Sequence, residues 1–336
     1  MSEVVSNKWG PYRVYSLINK KGTQVDISDL GAIIVNFFTK NKSGETKNIV
    51  LGYDKPQDYL NGKCFFGCVV GPWANRIANG RYTLDSQVVE LETNEGTNHL
   101  HGASADIGSK LWKVTSAKNN ELELTVSTSP GEAGYPHGVD FKVFYSLTEQ
   151  DELNIGYFAI PNGKTPINMT QHTYFNLDES KDILDHSLQI GSNNYLFVDV
   201  DAIPVNSEDV TNTPMDFRVE KKISKDINQE FTQLSQAGGF DHCWCFDSTE
   251  MKKVAKLYSS NRDLALEVYT DQIGMQFYSG NFIVKEVGRR NTIYGKNAGL
   301  CLETQNYPNK INMDGKEDCI FDSSNPYSHF VTYKIA

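Results

Sequence analysis

The sequence predicts an all-β protein, a large antiparallel β-sandwich with a few short helices. Three observations point there. Short segments of alternating apolar and polar residues recur along the whole chain, turn-forming residues separate them, and helical text is scarce. The alternating segments are YRVYSLIN (12–19), TQVDISDL (23–30), ELELTVST (121–128), FKVFYSLT (141–148), ELNIGYFAI (152–160), LALEVYTD (264–271) and HFVTYKIA (329–336). Lys-Lys-Gly (20–22), Ser-Gly-Glu (43–45), Lys-Asn-Asn (118–120) and Pro-Asn-Gly (161–163) supply turns between them. GAIIVNFF (31–38) and CFFGCVV (64–70) are continuous apolar runs of strand length. The best helical text, 215–239, ends in a glycine pair suited to a C-cap and supports only short helical pieces. No strand–helix alternation appears, which disfavours a parallel α/β fold. With no Pro/Gly/Ser-rich divide and no internal repeat, residues 1–336 are expected to form a single domain.

Composition removes several classes of function. The chain has 336 residues, 42 acidic against 32 basic side chains and a formal charge of −10. Nucleic-acid backbones are bound by clustered positive charge, so a nucleic-acid partner is not expected. No apolar run reaches membrane-spanning length, and the N-terminus lacks the basic and apolar regions of a secretory signal. Six cysteines, at 64, 68, 243, 245, 301 and 319, are too sparse for a disulfide scaffold and suit a reducing, cytoplasmic setting. Cys64/Cys68 and Cys243/Cys245, the latter beside His242, sit in strand-like apolar text and are expected as packed thiols rather than metal ligands.

Dinucleotide, P-loop, HExxH and GxSxG motifs are all missing from the sequence. Polar residues stand out instead in VVGPWANRIANGRYTL (69–84) with NHLHG (98–102), INMTQHTYFNL (167–177), GGFDHCWCF (238–246), DQIGMQFYSGNF (271–282) and GLCLETQNYPNKIN (299–312). Each has a structural alternative. Arg76 serves equally as an ion-pair partner, and His99 and His101, on one face of a strand, allow one structural histidine beside one working one. His172 in an apolar segment is compatible with a hydrogen-bonded core residue, and Asp241 with an Asx-turn. Glu303 is the hardest to explain structurally, because a carboxylate in a buried strand is costly unless paired or functional. One carboxylate, two imidazoles, an arginine, an aspartate and amides suit proton traffic on a neutral, hydroxyl-rich substrate. A sugar is the natural candidate, with Trp73, Tyr174, Phe175 and Phe277 as stacking faces.

In this order, GPWANRIANGRYTL, NHLHG, INMTQHTYFNL, FDHCW, GMQFYSGNF and GLCLETQNYP resemble the aldose 1-epimerases, or galactose mutarotases. Six blocks in register, with strand text on both sides, extend the likeness over essentially the whole chain. The resemblance implies a mutarotase-type supersandwich with an open sugar cleft. It implies Glu303 as general base, His172 as general acid and His101 as a second ring-oxygen or hydroxyl partner. It implies Asn75, Arg76, Asp241 and Gln276 as substrate-positioning residues, a free monosaccharide as substrate, no cofactor or metal, and a monomer or weak homodimer. It further implies neighbouring charges that keep the base ionised and the acid protonated. Three departures from the family pattern fall at Gln171, at Pro72-Trp73 and at Ile273. Competing readings are a hexose-6-phosphate epimerase using Lys285, Arg289, Arg290 and Lys296, a catalytically silent sugar-binding protein, and a glycosidase using Glu303 and Asp241 as its carboxylate pair.

Overall fold

The computed structural model describes residues 4–336. Its strands pair antiparallel into three principal sheets. A five-stranded sheet runs in chain order from Val5–Trp9 to Thr46–Asn48. A nine-stranded sheet has the four strands between Lys113 and Pro161 in chain order, and the C-terminal strand Tyr327–Ile335 then pairs with Glu152–Pro161. The third sheet has six strands: β1 (Tyr174–Phe175), β2 (Asn194–Val198), β3 (Pro204–Asp209), β4 (Asp241–Cys245), β5 (Gly274–Tyr278) and β6 (Leu300–Gln305). Their spatial order is β1-β6-β5-β4-β2-β3.

Side-chain alternation makes the sandwich. In Val139–Leu147 every second residue, Val139, Phe141, Val143, Tyr145 and Leu147, is buried. These residues share one core with Met275, Phe277, Leu300, Leu302 and Trp244 from one face of the six-stranded sheet. The two sheets meet directly: Tyr333 donates its hydroxyl to the Leu302 carbonyl at 3.3 Å, and Thr304 Oγ1 lies 3.0 Å from His329 Nε2. Both faces of β5 and β6 are buried, although their sequences, GMQFY and LCLETQ, contain polar residues. One face packs into the core; the other carries polar side chains and lies under loops.

All seven alternating segments are strands within a residue or two of the expected ends, and Glu121–Thr128 agrees in full. TQVDISDL (23–30) yields the shorter strand Gln24–Ser28. CFFGCVV is different: only Val69–Val70 is a strand, and Phe65 lies in the left-handed region at φ 53°. Apolar residues there line a crossing loop. In 215–239 the helix is confined to Thr232–Ala237, and Gly238 caps it at φ 66° with its N–H bonded to the Leu234 carbonyl. No helix among the described residues is long and apolar enough to cross a membrane.

Candidate active site

Three adjacent strands place the polar residues of the third sheet on one face. Glu303 on β6 is opposite Gln276 on β5, and Gln276 is opposite Cys243 on β4, with Asp241 two residues further along. The two-residue repeat therefore aligns Cys301, Glu303 and Gln305 beside Gln276 and Asp241, while Phe277, Leu302 and Trp244 turn to the core. Gln276 Nε2 donates to Asp241 Oδ1 at 2.7 Å, fixing both side chains. Glu303 is only 2% exposed. Its Oε2, the Gln276 Oε1 and both amide atoms of Gln305 have no hydrogen-bond partner. Unsatisfied buried polar atoms concentrated on one face mark a place that a polar ligand completes.

Loops close over this face and bring the histidines. His172 follows the two-residue strand Thr170–Gln171; its N–H bonds the Cys68 carbonyl and its carbonyl accepts from Gly67 N, both at 2.9 Å. Its Nε2 then lies 3.8 Å from Glu303 Oε1. Gln171 points the other way, donating to the Gly67 carbonyl at 2.5 Å and accepting from the hydroxyls of Tyr145 and Tyr157. The family departure at Gln171 thus braces the backbone behind His172 and does not face the cleft.

His99 and His101 do not share a strand face. The strand is only His99–Leu100, and His101 leaves it at φ 53°. His99 is fully buried against the Glu92 carbonyl and the Tyr135 hydroxyl, a structural histidine. His101 Nδ1 accepts the Asn75 backbone N–H at 3.1 Å, so the neutral ring carries its hydrogen on Nε2 and is a donor there. The following Gly102 is required: at φ 87°, a Cβ would lie 2.6 Å from the Gly71 carbonyl oxygen.

Asn75, at φ 65°, accepts the Arg76 backbone N–H on its own side-chain oxygen at 2.8 Å. Arg76 grips Glu95 with two bonds of 2.5 and 2.6 Å. Trp73 sits behind this loop, fully buried, with Nε1 donating to the Arg76 carbonyl at 3.2 Å. Arg76 and Asp241 line a cleft of about 270 Å³ whose rim includes Glu95, Asp199, Asp201 and Phe282.

Of the seven predicted site residues, Glu303, His172 and His101 come together in one buried cluster, with His101 and His172 ring centroids 5.5 Å apart. Asp241, Gln276, Arg76 and Asn75 lead from there to the cleft. The expected stacking faces require correction. Trp73, Phe175 and Phe277 are enclosed in hydrophobic cores, and Tyr174 stacks on His172. Besides Tyr174, the aromatic rings at the site are Phe65, against both histidines, and Phe282, 64% exposed and lining the cleft.

The expected order of protonation also requires correction. Burial, with the Asp241 charge adding to it, raises the Glu303 carboxyl well above its ordinary range. Burial lowers His172 to about 4. His101 is lowered too, by burial and then by the His172 and Arg76 charges. Desolvation favours the neutral form of each group, so surrounding charges do not by themselves hold a carboxylate–imidazolium pair.

Among the described residues, one grouping has metal-ligand chemistry: His172, Cys301 and Glu303, with ligand atoms within 4.8 Å of one another. Cys301 and Glu303 lie against opposite nitrogens of the His172 ring. Of the basic residues near 290, Arg289 is committed to backbone carbonyls of the protein itself. It donates to the Val35 and Val50 carbonyls and lines a separate cavity of about 140 Å³ that contains none of the seven residues. Cys64 and Cys245 are half-buried, the other four cysteines are buried, and all six are free thiols.

A β-sandwich that brings a buried carboxylate and two imidazoles beside a polar cleft has the groups to bind a hydroxyl-rich ligand and exchange protons with it. Comparison with known proteins narrows this class. The aldose 1-epimerase family model matches residues 13–334, and the chain belongs to that family. It is 33% identical over 331 residues to the aldose 1-epimerase of Escherichia coli K12, covering 97% of this chain and 95% of that one. It is 36% identical over 311 residues to the galactose mutarotase of Sus scrofa, covering 91% and 89%. The galactose 1-epimerase structure from Lactobacillus acidophilus superposes with a TM-score of 0.86 at 25% identity, over 99% of this chain and 97% of that one. An aldose epimerase homologue from C. elegans shares the fold, with a TM-score of 0.90 at 22% identity over 99% of each chain.

Proposed function

We propose that the protein interconverts the α and β anomers of free aldohexoses such as glucose and galactose, with Glu303 as general base and His172 as general acid. The observation that carries the assignment is their proximity: Oε1 and Nε2 are 3.8 Å apart, Glu303 Oε2 has no partner, and Gln276 links this cluster to Asp241 in the cleft. Glu303 takes the proton of the C1 hydroxyl while His172 gives one to the ring oxygen. The C1–O5 bond breaks to give the open-chain aldehyde, and rotation about C1–C2 presents the other carbonyl face. O5 then adds to C1, Glu303 returns its proton to the new hydroxyl and His172 recovers its own. Electrons and protons balance without a cofactor or metal.

Burial favours the neutral form of both groups, so the sugar must supply what the protein does not. A C1 hydroxyl donating to Glu303 stabilises the carboxylate, and a ring oxygen accepting from Nε2 stabilises the imidazolium. His101, holding its Nε2–H, donates to the ring oxygen or a neighbouring hydroxyl. Asn75, Arg76, Asp241 and Gln276 orient the remaining hydroxyls. The acidic rim of Glu95, Asp199 and Asp201 opposes an anionic substrate, which favours a free sugar over a hexose 6-phosphate. The continuous core supports residues 1–336 acting as one unit, and six free thiols support a cytoplasmic location.

Polarimetry of freshly dissolved α-D-glucose and α-D-galactose tests the assignment: the protein should speed equilibration beyond the buffer blank. Rates equal to the blank for both sugars, for xylose and for arabinose remove it. Aglycone release from nitrophenyl glycosides favours the glycosidase, and a preference for glucose 6-phosphate favours the phosphosugar epimerase.

A further inference from the structure

The His172 ring is clamped. It lies between Phe65 and Tyr174, with centroids 5.7 and 5.1 Å away and interplanar angles of 29° and 26°, and His101 meets it edge-on. The clamp sets the ring plane, so each nitrogen has one neighbour. Nε2 faces Glu303, and Nδ1 faces Cys301 Sγ at 3.5 Å, its one hydrogen-bond partner among the described residues. Strand geometry produces this arrangement: Cys301 and Glu303 are two positions apart on β6, about 7 Å along one face, which spans an imidazole.

A nitrogen that gives a proton to the ring oxygen and later recovers it alternates between N–H and a bare lone pair. The other nitrogen must keep its hydrogen throughout, because a ring bare at both positions is an imidazolate, inaccessible near neutral pH. Nε2 is the nitrogen beside Glu303, so the permanent hydrogen belongs on Nδ1. We propose that Cys301 is a positioning residue whose sulfur accepts the Nδ1–H of His172, selecting the tautomer in which Nε2 alone exchanges protons. This rests on His172 being the general acid.

Sulfur suits the position. A carboxylate against Nδ1 would orient the ring but also raise its basicity. Thiol sulfur is a weak acceptor, so it orients the ring and leaves the imidazolium a strong acid. Burial, and then the Glu303 charge, push the Cys301 thiol up, which keeps it uncharged beside the ring. The other ionisable groups facing this corner are Glu303, His101, Tyr174, Cys64, Cys68 and Asp241.

Nitrogen-15 NMR of the histidine-labelled wild-type protein near neutral pH reads the tautomer directly. The expected result for His172 is a protonated Nδ1 and a bare Nε2; the reverse overturns the proposal. Kinetically, Cys301→Ala should lower kcat about 10- to 100-fold, as loss of a ligand-orienting partner typically does, with KM little changed. Cys301→Ser, which keeps an acceptor, should recover most of that loss. Wild-type kcat in the alanine variant, or equal losses in both, also overturns the proposal. If the alanine variant does not fold, the wild-type spectrum decides. Failure of the underlying reading is distinguishable: His172→Asn would then keep wild-type kcat, whatever the tautomer.

Discussion

Replacing Glu303 by glutamine removes a proton acceptor from the buried cluster beside the cleft while keeping its size and one acceptor oxygen. General bases contribute on the order of 10²- to 10⁴-fold, so kcat should fall by that factor while sugar binding largely survives. The same substitution should stabilise the fold. Glu303 is buried, and its carboxyl is raised well above the ordinary 4.5. Between that ordinary value and the raised one, the unfolded chain has released the proton that the folded chain still holds. Stability therefore falls as pH rises through this window, and no difference remains below it. Glutamine carries no such penalty. Within this window the variant should gain on wild type by about 1.4 kcal/mol for each pH unit above 4.5, and the gain levels off once the folded-state carboxyl ionises as well. The assay is paired: polarimetric kcat, and thermal melting at neutral and acid pH with circular dichroism. The expected outcome is a dead enzyme with a higher Tm at neutral pH and an unchanged Tm near pH 4. A folded variant retaining more than about a tenth of wild-type kcat would remove Glu303 from the proton-transfer step. A variant less stable than wild type at neutral pH would refute the desolvation argument.

His172→Asn should lose turnover on the same scale, and the double variant should be little worse than the poorer single one, because the two groups serve one proton exchange. Asp241→Asn should combine a raised KM with a lower kcat, since it keeps the bond to Gln276 but loses the charge beside Arg76; a change in kcat alone would contradict a hydroxyl-holding role. The pH profile of kcat/KM should be bell-shaped. Its acid limb, near 4, reports a second proton entering at His172; its alkaline limb reports loss of the last proton from Glu303 and lies well above the ordinary carboxyl range. In Glu303→Gln the alkaline limb should disappear from any residual activity. Dialysis against a chelator should leave full activity; loss reversed by added zinc would place a metal in the mechanism.

Glu303 was legible because its context contradicts its chemistry: a carboxylate inside Gly-Leu-Cys-Leu, in strand text, invites a functional explanation. Asp241 stood out beside aromatics in GGFDHCWCF but with an Asx-turn as its alternative, and Gln276 was legible only through the family resemblance, although its alignment follows from pairing, since it is cross-strand from Glu303. Stacking faces failed for a definite reason. β5 is buried on both sides, so alternation says that Gln276 and Phe277 face oppositely but not which of them meets the cleft. Phe277 went to the core for the same reason that Gln276 reached the site. Cys301 escaped notice because a cysteine among leucines resembles packing. Only the two-residue repeat, read together with the position of His172, shows what it touches.

Loops account for the rest. Phe65, Asn75 and His101 all adopt left-handed backbone, at φ 53°, 65° and 53°, and all three end or interrupt strand text at the site. Such conformations cost about 1–3 kcal/mol each in a side-chain-bearing residue and persist where the surrounding structure fixes them. Here it does. Asn75 and His101 exchange two hydrogen bonds, backbone N–H to Nδ1 and backbone N–H to carbonyl, while Gly102 follows in a space that admits no Cβ. A flat sheet presents groups from one side only, and anomerisation needs a proton removed at C1 and one added at O5 of the same ring. The sheet supplies Glu303, and the loops carry His172 and His101 over it. Strain along these loops is therefore the expected accompaniment of enclosing a sugar between a rigid carboxylate face and an imidazole roof.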